Sequence, residues 1–268
     1  MADKKSKKKY NIRSGRFIFT ALITVFVVAG AIALYNIIAT QRSYSAAQDE
    51  YTGLRQYSPI VNSQADTAAN QNGDGAEPDA DLPESAPASM PDLRDINPDY
   101  IGWIWVEGTS IDYPVVQGKD NIKYLNTTFL GERNRSAAIF LDSRCPDGFN
   151  DFAILHGHNM RDGTMFAGLV RFMGHDFRDD DYYEIIIFTP EGERLIYRIF
   201  EAKVTSAYDN IFSLLDIKQD SDEGKLEFRS AVDDYFSGRD IPPEADILVL
   251  STCSDGNRND RLLIFAIR

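Results

Sequence analysis

The chain has 268 residues, 43% of them hydrophobic, which is enough for one well-packed domain with additional segments. Its formal net charge of −13 is unevenly distributed, because the first 16 residues hold seven basic residues and one acidic residue. The acidic remainder lacks the basic surface that nucleic-acid binding requires, and two cysteines are too few for a disulfide-stapled fold.

Residues 17–39 form an uncharged apolar stretch directly after the basic segment 1–16. Because about 20 apolar residues span a bilayer, this stretch predicts a single transmembrane signal anchor. A cleaved signal peptide is the alternative, although its apolar core would be shorter, roughly 7–15 residues. The basic residues before the span predict a cytoplasmic N-terminus and an extracellular remainder.

Residues 40–90 have the composition of a linker. A short helix is conceivable at "AAQDEYTGLRQY", but the rest is mainly Ala, Asp, Asn, Gln, Ser, Gly and Pro. Such a segment buries too little apolar surface to offset the entropy of ordering. We therefore expect a flexible extracellular linker over 40–90 and a folded domain over 91–268.

The folded domain is dominated by short strand patterns. They are "YIGWIWVEG", "TSIDYPVVQG", "SAAIFLD", "FAILHGH", "YYEIIIFTP", "RLIYRIFEAKVTSA", "ADILVLST" and "RLLIFAIR". Helical spacing is present in "GTMFAGLVRFMG" and in "DEGKLEFRSAVDDYFSG". In the second we expect Leu226, Phe228, Val232, Tyr235 and Phe236 along one side and Gly238 past the end. Many short strands with few helices predict a mainly β fold, either a barrel or a sandwich.

The last two strand patterns are separated by the polar loop Ser254–Asp260. If they pair antiparallel, Cys253 and Arg261 lie opposite each other at the mouth of a hairpin. A nearby guanidinium favours the nucleophilic thiolate, and it also donates hydrogen bonds to an oxyanion. Taken alone, the pair favours a small core cysteine and a surface arginine over a catalytic pair.

The three histidines are His156, His158 and His175. Acyl transfer by a cysteine needs a proton donor for the leaving amine. His156 and His158 are two apart, so in an extended strand both point to one face, and spacing alone does not choose between them. The same pair could begin a zinc site if a third ligand were available. His175 lies in a polar loop and is expected to be a solvated surface residue.

Several motifs together resemble the class B sortases, the membrane-anchored cysteine transpeptidases of Gram-positive bacteria. They are "GHNM" followed by "DGTMF", and "STC" with an Arg opening the next strand. "INPDYIGWIWVEGTSIDYPVVQGKDNIKYL" and "AAIFLD" are also similar to the family, so the resemblance covers roughly residues 91–268. It implies an eight-stranded sortase-type β-barrel with added helices, preceded by a transmembrane helix and a linker.

The resemblance also implies roles for three residues. Cys253 would attack the carbonyl of a C-terminal sorting motif of secreted proteins and form a thioester. His158 would act as general acid and then general base, and Arg261 would stabilise the oxyanion. An amine of peptidoglycan, or of its lipid-linked precursor, would resolve the thioester and anchor the cargo protein to the cell wall. No metal or other cofactor is implied.

Five further positions match places near the family's substrate groove. They are Asn121, Leu125, His156, Ser251 and Asp255. Leu125 is equally compatible with simple core packing, and Asp255 either orients Arg261 or caps the loop. The family commonly has Tyr where this chain has His156. Cys145 is not a family feature, and we expect it to be free because a disulfide to Cys253 would disable the nucleophile.

Two functions of other classes compete with a transpeptidase. One is a membrane-tethered zinc hydrolase that uses His156 and His158. The other is a non-catalytic wall-binding module whose aromatic residues serve recognition. The motif order favours the transpeptidase.

Overall fold

The computed structural model describes residues 12–60, 92–175, 177, 183–219, 221–239, 241–253 and 259–268, with backbone only at 12–17 and at Cys253. Residues 61–90, which are most of the predicted linker, and Pro91 therefore lie outside the described residues. The chain divides into two compact units, Met1–Ala46 and Ala47–Arg268.

A long helix, α1 (Ile12–Leu54), contains the predicted apolar span. Its side chains between Ile18 and Ile38 are exposed, including large apolar ones such as Phe19 and Phe26. Among the described residues, this helix alone is long and apolar enough to cross a membrane. Length and composition support that assignment, and a signal sequence would meet the same criterion.

The last two turns of α1 belong to the second unit. Ala47, Tyr51 and Leu54 are buried and recur at helical spacing, so they form one packed face. The Tyr51 hydroxyl donates to the Ala137 carbonyl oxygen at 2.5 Å. The sequence places these residues in a flexible linker, whereas the structure packs them onto the folded domain because their apolar side chains find a partner surface there.

Eight strands in the described part of the chain form a closed barrel. They are β1 (Tyr100–Val106), β2 (Asp112–Val116), β3 (Ile139–Leu141), β4 (Phe152–His156), β5 (Glu184–Phe188), β6 (Arg194–Ser206), β7 (Ile247–Cys253) and β8 (Asp260–Ile267). Each coincides with one of the eight predicted strand patterns, and the barrel, one of the two predicted architectures, is confirmed.

The barrel order is β1-β2-β3-β4-β7-β8-β6-β5. Strands β4 and β7 are parallel neighbours, with His156 opposite Ser251. The carboxyl ends of parallel strands lie at the same edge of a sheet. The histidine motif after β4 and the cysteine at the end of β7 therefore meet at one rim of the barrel.

A second helix, α2 (Asp222–Tyr235), covers the barrel beside β4, β7 and β8, as predicted for this segment. The Ser221 hydroxyl caps its N-terminus by accepting from the Gly224 N–H at 3.1 Å. Phe228 and Val232 are buried, but Leu226 is 72% exposed, so the prediction that it shares their side of the helix was wrong. At about 100° per residue, Leu226 lies almost opposite Phe228 on the helix.

Short 3₁₀-helices complete the walls near the rim. One spans Phe166–Phe172, where the sequence predicts helical structure, and another spans Lys123–Leu125. A third, Asn210–Asp216, packs against the barrel beside α2 through Ile211 and Leu214. The segments carrying Leu125 and Phe212 thereby flank the rim where β4 and β7 end.

Candidate active site

The β7–β8 hairpin places the predicted nucleophile and the predicted oxyanion donor in register. The two strands are antiparallel, and Cys253 is paired with Arg261 along the backbone. This confirms the predicted antiparallel pairing. The loop residues 254–258 lie outside the described residues, and Asp255 is among them.

A groove of about 340 Å³ opens at the rim beside this hairpin. Arg261 and both rim histidines line it together. Three further predicted substrate residues, Asn121, Leu125 and Ser251, also line it. The predicted residues in the groove wall are Asn121, Leu125, His156, His158, Ser251 and Arg261.

His158 is held by the backbone of the opposite wall. Its Nε2 lies 3.0 Å from the carbonyl oxygen of Leu125. Since a carbonyl only accepts, Nε2 carries the proton and Nδ1 is the second site for proton exchange. Leu125 therefore has two roles in the geometry: its backbone orients His158, while its side chain, 42% exposed, forms part of the groove wall.

His156 is anchored differently from His158. Its Nε2 lies 3.0 Å from Oδ2 of Asp142, a carboxylate that is 1% exposed. The ring lies between Phe140, at a centroid distance of 5.1 Å, and Phe212, at 6.3 Å in a stacked arrangement. His156 is thus a fixed part of the groove wall, and its Nε2 is paired with the Asp142 carboxylate.

The Asp142 carboxylate is the electrostatic centre of this wall. Burial acts to raise its pKa, but hydrogen bonds from His156, Arg144 and Asn121 outweigh burial and hold the pKa well below its usual range. Arg144 donates to both carboxylate oxygens at 3.0 Å and also to Asp216 at 2.9 Å. The network joins the end of β3 to the 3₁₀-helix that carries Phe212.

Two of the predicted substrate residues, Asn121 and Ser251, form hydrogen bonds within the protein. The Asn121 Oδ1 accepts from the Ser143 N–H at 2.7 Å, so its side chain ties the 3₁₀-helical wall to the end of β3. Ser251 is 3% exposed, and its carbonyl accepts from the Gly157 N–H at 3.2 Å. Both therefore shape the groove as well as line it.

The sequence reasoning missed several groove residues, among them Phe140, Asp142, Arg144 and Phe212. An acidic and a basic residue two apart in "LDSRC", at the end of a buried strand, were the available signal. Thr252 was also overlooked. Its hydroxyl is buried without a hydrogen-bond partner among the described atoms, directly before the cysteine.

The remaining cysteine and histidine lie away from this chemistry. Cys145 is a free, buried cysteine, as expected, and burial raises the pKa of its thiol to about 12. His175 is partly buried in edge-to-face contact with Phe177 and Tyr183, so the expectation of a fully solvated histidine was wrong. In the described ranges, no group of three or more His, Cys, Asp or Glu side chains is arranged to hold a metal ion.

Comparison with known proteins matches residues 104–268 to the sortase domain family. Sortase B of Staphylococcus aureus is 34% identical over 165 residues, which is 61% of this chain and 66%, just under two thirds, of that relative. The structure of Clostridium perfringens sortase B has a TM-score of 0.55 and 32% identity, and the match covers 65% of this chain and 96% of that one.

A Staphylococcus aureus sortase B–substrate complex aligns with a TM-score of 0.60 and 27% identity, covering 84% of this chain and 97% of that one. The family match includes all eight strands except the first residues of β1, together with both rim histidines, Cys253 and Arg261. The chain therefore belongs to the sortase family.

Proposed function

We propose that the protein is a cysteine transpeptidase that anchors secreted proteins to the cell wall. It cleaves a C-terminal sorting motif, holds the cargo as a thioester on Cys253, and transfers it to an amine of peptidoglycan or its lipid-linked precursor. Membership of the sortase family and the similarity to a sortase B that has been captured with a substrate support this proposal.

The observation that carries the proposal is that three residues lie at one rim of the barrel. Cys253 is in backbone register with Arg261, and Arg261 shares a groove wall with His158. A nucleophile, an oxyanion donor and a proton carrier are the minimum set for acyl transfer by a cysteine. The 340 Å³ groove is of a size that binds several residues of an extended peptide.

In the first half-reaction, the Cys253 thiolate attacks the scissile carbonyl carbon. The carbonyl oxygen becomes an oxyanion, to which the Arg261 guanidinium donates hydrogen bonds. His158, as the imidazolium, gives its proton to the departing amide nitrogen. The C–N bond breaks, and the products are a thioester on Cys253 and a free amine on the cleaved tail.

In the second half-reaction, the acceptor amine attacks the thioester carbonyl. His158, now neutral, takes the proton that the amine loses as the new amide forms. The C–S bond breaks and the Cys253 thiolate is released, so the enzyme returns to its starting protonation state. The Leu125 carbonyl holds His158 Nε2, which keeps one orientation of the ring through both halves.

The same proposal includes the topology of the chain. Residues 1–16 lie in the cytoplasm, residues 17–39 span the membrane, and the catalytic domain faces the wall. Residues 47–58 belong with the catalytic unit, so they are part of the folded domain and not of the linker. The basic residues of 1–16 support this orientation.

The deciding experiment incubates the full-length protein in detergent with a library of sorting-motif peptides and an oligoglycine or stem-peptide amine. Mass spectrometry should find a thioester on Cys253 and an amide-linked transfer product. Cys253→Ala should form neither, while Cys145→Ala, the matched control, should behave as wild type because that thiol is buried and protonated. Transfer product formed by Cys253→Ala would overturn the assignment.

The same assay separates the competing functions. A zinc hydrolase would lose activity in a chelator and recover it with Zn²⁺, whereas a cysteine transpeptidase is expected to keep its activity. A wall-binding module would bind the peptide without cleaving it. Protease protection of spheroplasts tests the topology: externally added protease should remove the catalytic domain and spare the N-terminal segment.

A further inference from the structure

The loop that carries His158 is closed on itself. The Phe166 N–H donates to the His158 carbonyl at 2.9 Å, and Asn159 and Met165 form an antiparallel bridge. The Phe166 ring packs directly against Gly157. A Cβ atom added to Gly157 would lie only 2.6 Å from Cδ2 of that ring. The His158 backbone therefore follows the position of the Met165–Phe166 peptide.

Met165 has an unusual backbone conformation for a residue with a side chain. Its φ is 55° and its ψ is −127°, and the residue is completely buried. Such a conformation persists only where surrounding contacts determine it. Two of these contacts are the bridge to Asn159 and a hydrogen bond from the Met165 N–H to the hydroxyl oxygen of Tyr113, at 3.2 Å.

Tyr113 is itself firmly placed. It lies on β2, is 2% exposed, and its ring is packed edge-to-face against Tyr51 at a centroid distance of 5.3 Å. The Arg55 guanidinium lies 5.7 Å from the ring centre. Two residues from the end of α1 and the turn after it thus fix the ring, and the ring fixes the hydroxyl that Met165 uses.

We propose that Tyr113 is a positioning residue for His158. Its hydroxyl holds the Met165 peptide, and the adjoining Phe166 N–H holds the His158 carbonyl, so two hydrogen bonds in series set the height of the imidazole above the groove. Tyr113 touches neither substrate nor reacting atoms. This inference rests on the proposed role of His158 in the transpeptidase.

The geometry at the other side of His158 makes this support necessary. Within the described part of the chain, the His158 ring makes one hydrogen bond, to the Leu125 carbonyl, and it is partly exposed to the groove. A backbone that is free to shift would move both the ring and that hydrogen bond. A displacement of 1 Å at a proton-transfer group is enough to lower turnover substantially.

Tyr113→Phe removes the hydroxyl and retains the ring that packs against Tyr51. In the full-length protein in detergent micelles, kcat for sorting-peptide cleavage should fall about tenfold while KM stays within about twofold, because groove contacts are unchanged. The matched control is Tyr197→Phe. Tyr197 is also buried and its hydroxyl also bonds a backbone group, but that group is the Phe149 carbonyl, at 2.6 Å, between β3 and β4 and not on the loop that carries His158.

A second measurement does not depend on turnover. The chain has three histidines, so the imidazole NMR signals of the labelled full-length protein are few, and His158→Gln assigns one of them. Tyr113→Phe should shift or split the His158 signals and leave those of His156 and His175 in place. Tyr197→Phe should leave all three histidine signals in place. We expect Tyr197→Phe and Tyr113→Phe to lower the melting temperature by similar amounts, because each removes one buried hydroxyl.

The outcomes separate the two proposals. If wild type forms no thioester, the proposed function fails, while the His158 signals still report on the positioning. If Tyr113→Phe matches Tyr197→Phe in both kcat and His158 signals, the positioning role is overturned. Should Tyr113→Phe fail to fold, Tyr51→Leu replaces it. That variant removes the ring edge against Tyr113 and also the Tyr51 hydroxyl, which bonds the Ala137 carbonyl and the Phe129 N–H. Tyr51→Phe, which loses only the hydroxyl, is therefore its control. Relative to Tyr51→Phe, Tyr51→Leu should lower kcat about threefold with the same change in the His158 signals.

Discussion

The two halves of the candidate active site are held by different kinds of contact. Cys253 and Arg261 are partners in one hairpin, eight positions apart along the chain, and strand pairing alone brings them into register. His158 depends on residues far away in sequence: Leu125 is 33 positions distant, and Tyr113 is 52 positions from Met165. One half is local and the other is built by tertiary packing.

This difference predicts how each half should fail. Changes in the hairpin remove a chemical group from an intact scaffold, so they should lower activity with little loss of stability. Changes in the histidine loop disturb packing and hydrogen bonds that also stabilise the fold, so activity and stability should fall together. The three predictions below test this contrast, beginning with the largest expected effect.

Arg261→Ala should lower kcat by about 10²–10³-fold, the usual consequence of removing one oxyanion donor. The melting temperature should change by only a few degrees, since Arg261 is partly exposed at a strand end. Stopped assays of peptide cleavage and a thermal melt measure the two quantities on the same sample.

The control for this variant is Arg135→Ala, which removes an exposed arginine that does not line the groove. It should leave kcat at the wild-type value. Retention of at least a third of wild-type turnover by Arg261→Ala would contradict the oxyanion role.

Gly157→Ala should lower both stability and turnover. The new Cβ would lie 2.6 Å from Cδ2 and 2.7 Å from Cγ of Phe166, a completely buried ring that has little room to move. We expect a loss of about 1–3 kcal/mol in the free energy of unfolding, typical of overpacking. We also expect about a tenfold loss in kcat as the His158 backbone shifts. Chemical denaturation and peptide cleavage check the two effects.

Gly53→Ala is the matched control, because Gly53 is an exposed helical glycine with nothing within 4 Å of an added Cβ. It should be neutral or stabilise the protein by up to about 1 kcal/mol. If Gly157→Ala were as stable as wild type, that result would contradict the inference that the packing of Phe166 against Gly157 restrains the loop that carries His158.

Asp142→Asn should destabilise the protein by about 1–3 kcal/mol at neutral pH, because it weakens hydrogen bonds from His156 and Arg144. Since the folded pKa of Asp142 lies below the unfolded value, the unfolded chain takes up the proton first as the pH falls. The stability that the carboxylate contributes is thus complete above about pH 5 and is lost progressively below it.

The melting temperatures of wild type and Asp142→Asn are measured from pH 7 to pH 3. The difference between them should become smaller as the pH falls below about 5. Asp147→Asn, at an exposed carboxylate on the same β3–β4 connection, should show no such trend. A difference that stayed constant or widened in acid would contradict the sign of the Asp142 pKa shift.

Much of the fold was predictable because the patterns are local. Alternating apolar residues and turn residues located all eight strands, and the helical spacing around Phe228 located α2. The motifs around His158 and Cys253 indicate the family from the sequence alone. The side of the helix on which Leu226 lies was predicted wrongly. Leu226 and Phe228 are two residues apart, and at about 100° per residue that separation places them on nearly opposite sides.

The wall formed by Asp142, Arg144 and Phe212 was not predictable in the same way. Its members come from the end of β3 and from a 3₁₀-helix some 70 positions later, and a single sequence contains no signal that joins them. The packing of Ala47, Tyr51 and Leu54 was missed for the same reason, because a short apolar stripe becomes informative only when its partner surface is known.

The sequence by itself determined the strands, the apolar span, and the hairpin that brings Cys253 and Arg261 into register, because each depends on interactions between residues near one another in the chain. The tertiary structure decided how the two rim histidines differ. His156 is bound to a buried carboxylate, and His158 is held by the Leu125 carbonyl above a loop supported by Tyr113. Only barrel closure, with β4 parallel to β7, brings these distant residues to one rim.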